Sequence, residues 1–287
     1  MASRILQFTV NSQAFNGNVL LVEYGGILST YRQKIFLLSN LVNVELKLRH
    51  KKSVLGNLWY IVTPMVYAGL YYFAFSYVFS ARSGQEDNLT NMVLLFWGVS
   101  LHAYLAEIMN KSTSLISNNI NYVKKIIFPL ELLCFRDVIT GLVPLAIALA
   151  ISMIVFIFAD IQIGSAALAL LTVIPYVLIC LGFSLFFAAL GVFVKDLSAL
   201  CGMLTTVILF VSPVLYNLKQ LPDDLAFFFY INPLTYPMQT LRELVQGKLS
   251  YSDFFIGYAS YSFVAVLFAS IAYCIFSKMK KHFVDVL

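Results

Sequence analysis

Six apolar runs divide this chain, at about 56–80, 91–109, 133–159, 166–194, 197–217 and 254–277. Each is near or above the roughly 20 residues that a bilayer core requires of a helix. The cations around these runs are sorted. The region before the first run carries Arg4, Arg32, Lys34, Lys47, Arg49, Lys51 and Lys52 against only Glu23 and Glu45. With that end in the cytoplasm, the loops at 110–132 and 195–196 and the C-terminal tail fall on the same side. They add Lys111, Lys124, Lys125, Lys195, Lys278, Lys280 and Lys281, while the opposite side has Arg82, Lys219, Arg242 and Lys248. This bias predicts cytoplasmic N- and C-termini. The pattern specifies an all-α polytopic membrane protein with six transmembrane helices.

Composition points the same way. Apolar residues make up 60% of the chain and charged residues 11%, whereas a soluble domain carries about 25% charged residues. So few charges cannot clothe a water-facing surface, so lipid must cover much of it. The net charge of +5 sits beside the spans, where anionic headgroups attract it; it is no nucleic-acid footprint. Cys134, Cys180, Cys201 and Cys274 lie in or beside apolar runs without metal-ligand spacing. They read as small buried hydrophobes, and no metal site is expected. Ile5–Val10 is too short for the apolar core of a cleavable signal.

The chain then divides into an N-terminal tail (1–28), an amphipathic interface helix (29–54) and a six-span transmembrane domain (55–287). In 29–54, Leu37, Leu41, Val44 and Leu48 recur at helical spacing, and Glu45 and Arg49 stand as an i,i+4 pair. A helix lying in the inner interface and ending in the basic cluster Lys47, Arg49, Lys51 and Lys52 fits this pattern. The alternative is a simple orienting charge cluster. The cytoplasmic loop 110–132 is polar at its start and mixes apolar and basic residues later. That composition suits docking on a partner; the alternative is a loop resting on the membrane. The external segment 218–253 contains Asn232-Pro-Leu-Thr-Tyr-Pro237, and a helix should run from Thr235 or Tyr236 to a stop at Gly247. Its pieces are too short to span and too apolar for a free loop, so a re-entrant or interfacial helix pair is expected.

Within the spans, Glu107, Arg136 and Asp137 lie near inner ends, at depths that would let Glu107 and Arg136 form a structural ion pair. His102 stands alone and reads as a structural hydrogen-bonding group. Tyr60, Pro64, Tyr67 and Tyr71 share one face of the first span, and Trp97, Ser100, Tyr104, Glu107 and Lys111 one face of the second. Lipid cannot satisfy deep hydroxyls, so these stripes face another helix or a wet cavity. Aromatic faces with hydroxyl handles suit sugars. Span five adds Thr205, Thr206, Phe210, Ser212 and Tyr216, with a bend expected at Pro213. There is no phosphate-binding loop: Arg242 stands where the first Gly would be needed before Gly247-Lys248. Asn88-Leu-Thr90 matches a glycosylation acceptor, a weak three-residue signal.

Leu46-Lys-Leu-Arg-His-Lys-Lys-Ser-Val-Leu-Gly-Asn-Leu-Trp59 followed by Pro64, and Lys124-Lys-Ile-Ile-Phe-Pro-Leu-Glu131, are familiar stretches. With Lys195-Asp-Leu-Ser-Ala-Leu, Ser212-Pro-Val-Leu-Tyr216 and Asn232-Pro-Leu-Thr-Tyr-Pro237, they resemble, in order, the membrane (permease) subunits of polysaccharide-exporting ABC transporters. Those subunits export O-antigen, capsule or teichoic-acid chains. Cys134 departs from the pattern, since relatives often have a Pro soon after the acidic residue.

The resemblance implies a homodimer around a channel lined by spans one and five, in the bacterial inner membrane. The channel residues would be Tyr60, Tyr67, Tyr71, Trp97, Tyr104, Phe210 and Tyr216. It implies two separate ATP-binding cassette subunits, which would hold ATP and Mg; no cofactor is expected on this chain. The coupling helix would lie around Ser114, Asn118, Asn119, Asn121 and Tyr122. Lys47, Arg49, Lys51 and Lys52 would belong to a gate at headgroup level. The cargo would be a lipid-linked glycan. The other classes in play are an exporter of a drug or small lipid with the same fold, and a membrane-embedded glycolipid transferase or ligase. An enzyme would need a catalytic acid, base or metal motif, for which Asp223-Asp224 is the only candidate.

Overall fold

The computed structural model describes residues 31–49, 51, 53–73, 88–124, 128–159, 163–214 and 226–287. The 1–28 tail, Lys52, the end of the first apolar run at 74–80, Tyr216 and Asp223-Asp224 lie outside these residues. So does the side chain of Tyr71.

Among the described residues every regular element is helical. They are α1 (Tyr31–Arg49), α2 (Trp59–Phe73), α3 (Asn88–Ser112), α4 (Ile120–Val123), α5 (Glu131–Phe158), α6 (Ile163–Leu171), α7 (Val173–Leu190), α8 (Leu197–Phe210), α9 (Ala226–Ile231), α10 (Thr235–Val245), α11 (Tyr251–Met279) and α12 (Phe283–Val286). Four stretches are long and apolar enough to cross a bilayer: Leu89–Ser112, Glu131–Phe158, Gly164–Leu190 and Tyr251–Val286. Six spans were expected. The described parts of the first and fifth runs, α2 and α8, are 15 and 14 residues long, and both runs continue into residues that are not described.

The fourth run was expected as one helix and is broken between α6 and α7. Pro175 has no N–H and its ring opposes the carbonyl four residues back, so the ladder is interrupted there. Thr172 turns inward, its hydroxyl donating to the Ala169 carbonyl at 2.6 Å.

α3 is the central post, touching α2, α5, α7, α8 and α10. Hydrogen bonds tie it to its neighbours. Tyr176 donates to the Leu101 carbonyl at 2.8 Å, Tyr104 to the Val138 carbonyl at 3.0 Å, and Ser112 to the Ser184 hydroxyl at 2.9 Å. His102 donates Nε2–H to the Thr205 carbonyl at 2.8 Å, the structural role expected for it. In an apolar medium such groups must find internal partners. Small residues set the approach distances. A Cβ on Gly182 would lie 2.6 Å from the ring of Phe268, so glycine is what lets α11 lie against α7.

The segment before α11 carries two short helices, α9 and α10. Asn232 breaks them apart: its side-chain carbonyl accepts from the Leu234 N–H at 3.0 Å, and its amide donates to the Ile208 carbonyl at 2.7 Å. α10 buries Met238, Leu241 and Leu244 and stops at Gly247, whose φ of 64° favours glycine.

Candidate functional site

Two helices bearing predicted stripe residues, α2 and α3, enclose one pocket together with α5. It has a volume of about 360 Å³, with Trp59, Tyr60, Thr63, Pro64 and Tyr67 from α2. α3 contributes Phe96, Val99, Ser100, Ala103, Tyr104 and Glu107, and α5 contributes Gly141, Pro144, Leu145 and Ala148. Arg49, the last residue of α1, closes one end. Pro64 and Pro144 each delete a rung of the helix ladder beside the pocket. Gly141 admits the ring of Tyr104, which would stand 2.9 Å from a Cβ there.

Tyr60, Tyr67 and Tyr104 all line this pocket. Trp97 does not join them. It is fully buried beside Phe156, with ring centroids 6.0 Å apart. The stripe missed by one position in rotation: Phe96, not Trp97, lines the pocket, while Trp97 turns to Phe156 of α5. Phe210 lies elsewhere, 62% exposed on α8.

The ion pairs also differ from expectation. Glu107 and Arg136 do not pair with each other, and neither do Glu45 and Arg49. Arg49 and Lys111 both donate to Glu107 Oε1, the lysine at 2.7 Å. Arg136 binds its neighbour Asp137 at 2.7 Å and reaches Glu45 at 3.7 Å. Residues i and i+4 of α1 thus point together at two other helices, α3 and α5. The guanidinium of Arg49 also stands 5.7 Å over the Tyr60 ring, a cation–π distance.

This sets the rotation of α1. Its inward side holds Leu37, Leu38, Leu41, Val42, Glu45 and Arg49. Val44 and Leu48, expected in the same stripe as Leu37 and Leu41, are exposed together with Phe36. The helix has two apolar flanks, one against α5 and one left for lipid. Lys47 and Lys51 are exposed at its end.

The loop after α3 is a compact hook. Leu115, Ile116 and Val123 are buried beneath it. Asn118 donates to the Ser114 hydroxyl at 3.1 Å and Asn119 to the Leu115 carbonyl at 2.8 Å. Tyr122 stacks near Phe128 at 4.5 Å between centroids. Ser117, Asn118, Asn121 and Lys124 are left facing out. Lys280 donates to Glu131 at 2.8 Å, and Phe283 is fully buried against Phe276 and Phe193. The tail thereby braces the same end of the bundle, a role no sequence pattern announced.

Arg242 on α10 donates to the Pro213 carbonyl at 3.1 Å, and burial pushes its pKa down from the usual arginine value. Among the described residues no group of His, Cys, Asp and Glu could hold a metal ion.

Comparison with known proteins places this architecture. The sequence profile of the ABC-2 type transporter family matches residues 37–246, from the inward face of α1 to the end of α10. The chain is 28% identical over 254 residues to an O-antigen export system permease protein RfbA of Klebsiella pneumoniae, covering 88% of this chain and 95% of that protein. It is 28% identical over 257 residues to the protein of the same name from Myxococcus xanthus, covering 87% and 94%. A match to most of the chain, over the elements that build the pocket and the hook, identifies it: the chain belongs to the ABC-2 type transporter family.

Proposed function

We propose that this protein is the membrane subunit of an ABC exporter that moves a lipid-linked polysaccharide, O-antigen or capsule, across the bacterial inner membrane. The observation that carries the reading is the near-complete alignment with permeases named for O-antigen export. Two copies would pair with their α2 and α8 faces across a shared path. Those faces expose Ile61, Met65, Tyr67 and Leu70 on α2 and Leu200, Met203, Val207 and Phe210 on α8, apolar surface that a second copy would cover. The pocket of about 360 Å³ is at the low end for a small-molecule site and cannot pass a polymer, so the path runs between copies. Six spans with both termini cytoplasmic would follow from the charge bias. Separate ATPase subunits, holding ATP and Mg, would seat the hook at 113–124, and α1 would lie as a gate at headgroup level.

Deleting the chain in its source organism tests this reading. Surface polysaccharide should be lost while lipid-linked glycan accumulates on the cytoplasmic side, and the chain should restore export on re-expression. Normal surface polysaccharide, with some other amphiphile retained in the cell, would overturn the cargo assignment.

A further inference from the structure

The pocket among α2, α3 and α5 shares only Tyr67 with the faces assigned above to the polymer path, and no residue of α8 lines it. Its walls are apolar: Val99, Ala103, Pro144, Leu145 and Ala148. Its α1 end is charged and asymmetric. On the α3 side two cations, Arg49 and Lys111, share one carboxylate, Glu107. Arg49 Nη1 is buried there without a hydrogen-bond acceptor among the described residues. On the α5 side one cation, Arg136, serves two carboxylates, Asp137 and Glu45, and its approach to Glu45 is long at 3.7 Å. Charge therefore turns from positive to negative over the single helical turn that separates Arg49 from Glu45.

The geometry points to a seat for one membrane phospholipid with a zwitterionic, phosphoethanolamine-type head. A phosphate oxygen supplies the acceptor that Arg49 Nη1 lacks, since a guanidinium fork matches phosphate geometry. The ammonium turns toward Glu45, whose carboxylate is only loosely held. A hydrocarbon chain fills the cleft bordered by the apolar side chains of Val99, Ala103 and Leu145. Lys47 and Lys51, exposed at the end of α1, hold the site at headgroup depth. The inference rests on the chain lying in a membrane and not on the identity of its cargo.

The test uses the full chain, with any partner subunits that copurify, made in cells that synthesise no lipid-linked glycan. It is placed in nanodiscs of equal phosphatidylethanolamine and phosphatidylglycerol and examined by native mass spectrometry. One phosphatidylethanolamine per chain should survive activation that strips bulk lipid. Ala103→Phe, which fills the cleft, should cut that retention at least tenfold with the unfolding midpoint unchanged. Glu45→Gln should shift the retained species toward phosphatidylglycerol. If Ala103→Phe does not fold, Val99→Phe serves as the same test. Equal retention in the filled variant, or preference for phosphatidylglycerol in the unaltered chain, would overturn the proposal. Retention that appears only in cells making lipid-linked glycan would overturn it too, and would give the pocket to the cargo while leaving the exporter reading intact.

Discussion

The backbone carbonyl of Thr113 lies inside van der Waals contact of the point where a Cβ on Gly191 would stand. The contact joins the start of the hook to the last turn of α7. It is backbone against backbone, so no rotamer relieves it. Gly191 cannot slip either, because its N–H is bonded to the Phe187 carbonyl at 2.8 Å. Gly191→Ala should therefore force the hook off the end of α7. Overpacking typically costs 1–3 kcal/mol, and a clash with rigid backbone belongs near about 3. The unfolding midpoint should fall and partner-stimulated ATPase should drop together. A variant normal in both would show that the hook is not anchored here.

α1 is clamped by two ion-pair sets, and the clamp can be measured. Arg49 and Glu107 are each about a fifth exposed. Their coupling should fall between the ~0.2–1 kcal/mol of exposed pairs and the 3–5 kcal/mol lost on breaking buried ones. A double-mutant cycle with Arg49→Gln and Glu107→Gln should give about 1–2 kcal/mol. Glu107→Gln should be the worse single change, since it strands both Arg49 and Lys111. Additive effects would mean that the pair does not hold the helix down.

Much of this was legible in the chain and some was not, for physical reasons. α10 announced both ends, with Pro237 in its first turn and Gly247 past its last, because caps are local chemistry. The Tyr60, Tyr67 and Tyr104 stripes were legible because helical spacing decides which side chains share a face. The rotation of α1 was not. A helix with one flank on protein and one on lipid is apolar on both, so periodicity alone cannot find the protein side. The partners of Glu45, Arg49, Glu107 and Arg136 were missed for a related reason. Depth along the bilayer said which charges were level, but not that α1 would lie across both Glu107 and Arg136. The break at Thr172 carried a signal, Pro175, that an uninterrupted apolar run concealed.

The hook should divide into side chains that build it and side chains that it presents. Asn119 and Tyr122 hold it together, through the Leu115 carbonyl and the Phe128 ring. Asn118→Ala with Asn121→Ala should leave the chain's own unfolding midpoint within about 0.5 kcal/mol in equivalent stability, as exposed substitutions usually do. It should weaken assembly with the ATPase subunit. Asn119→Ala with Tyr122→Ala should lower both. The purified chain should hydrolyse no ATP by itself, since it has no phosphate loop. Full assembly by the exposed pair of substitutions would move docking to another surface.

Tyr67 and Tyr104 border the same pocket but should answer substitution in opposite ways. Tyr104 is buried, and its hydroxyl donates to the Val138 carbonyl across α3 and α5. Tyr104→Phe removes that bond and little else, so stability should fall by about 1 kcal/mol. Export should hold once protein levels are matched, because the hydroxyl faces no open space. Tyr67 is 51% exposed, between the pocket and the outer face of α2. Tyr67→Leu keeps an apolar side chain in an apolar setting and should leave the unfolding midpoint unchanged. Surface polysaccharide should nevertheless fall several-fold, because a stacking face and a hydroxyl are lost from the polymer path proposed above. The comparison requires membrane levels, partner-stimulated ATPase and surface glycan in both variants. If Tyr67→Leu exports normally while folding normally, α2 does not line the path. The route would then have to be sought along α8, beginning with the exposed ring of Phe210.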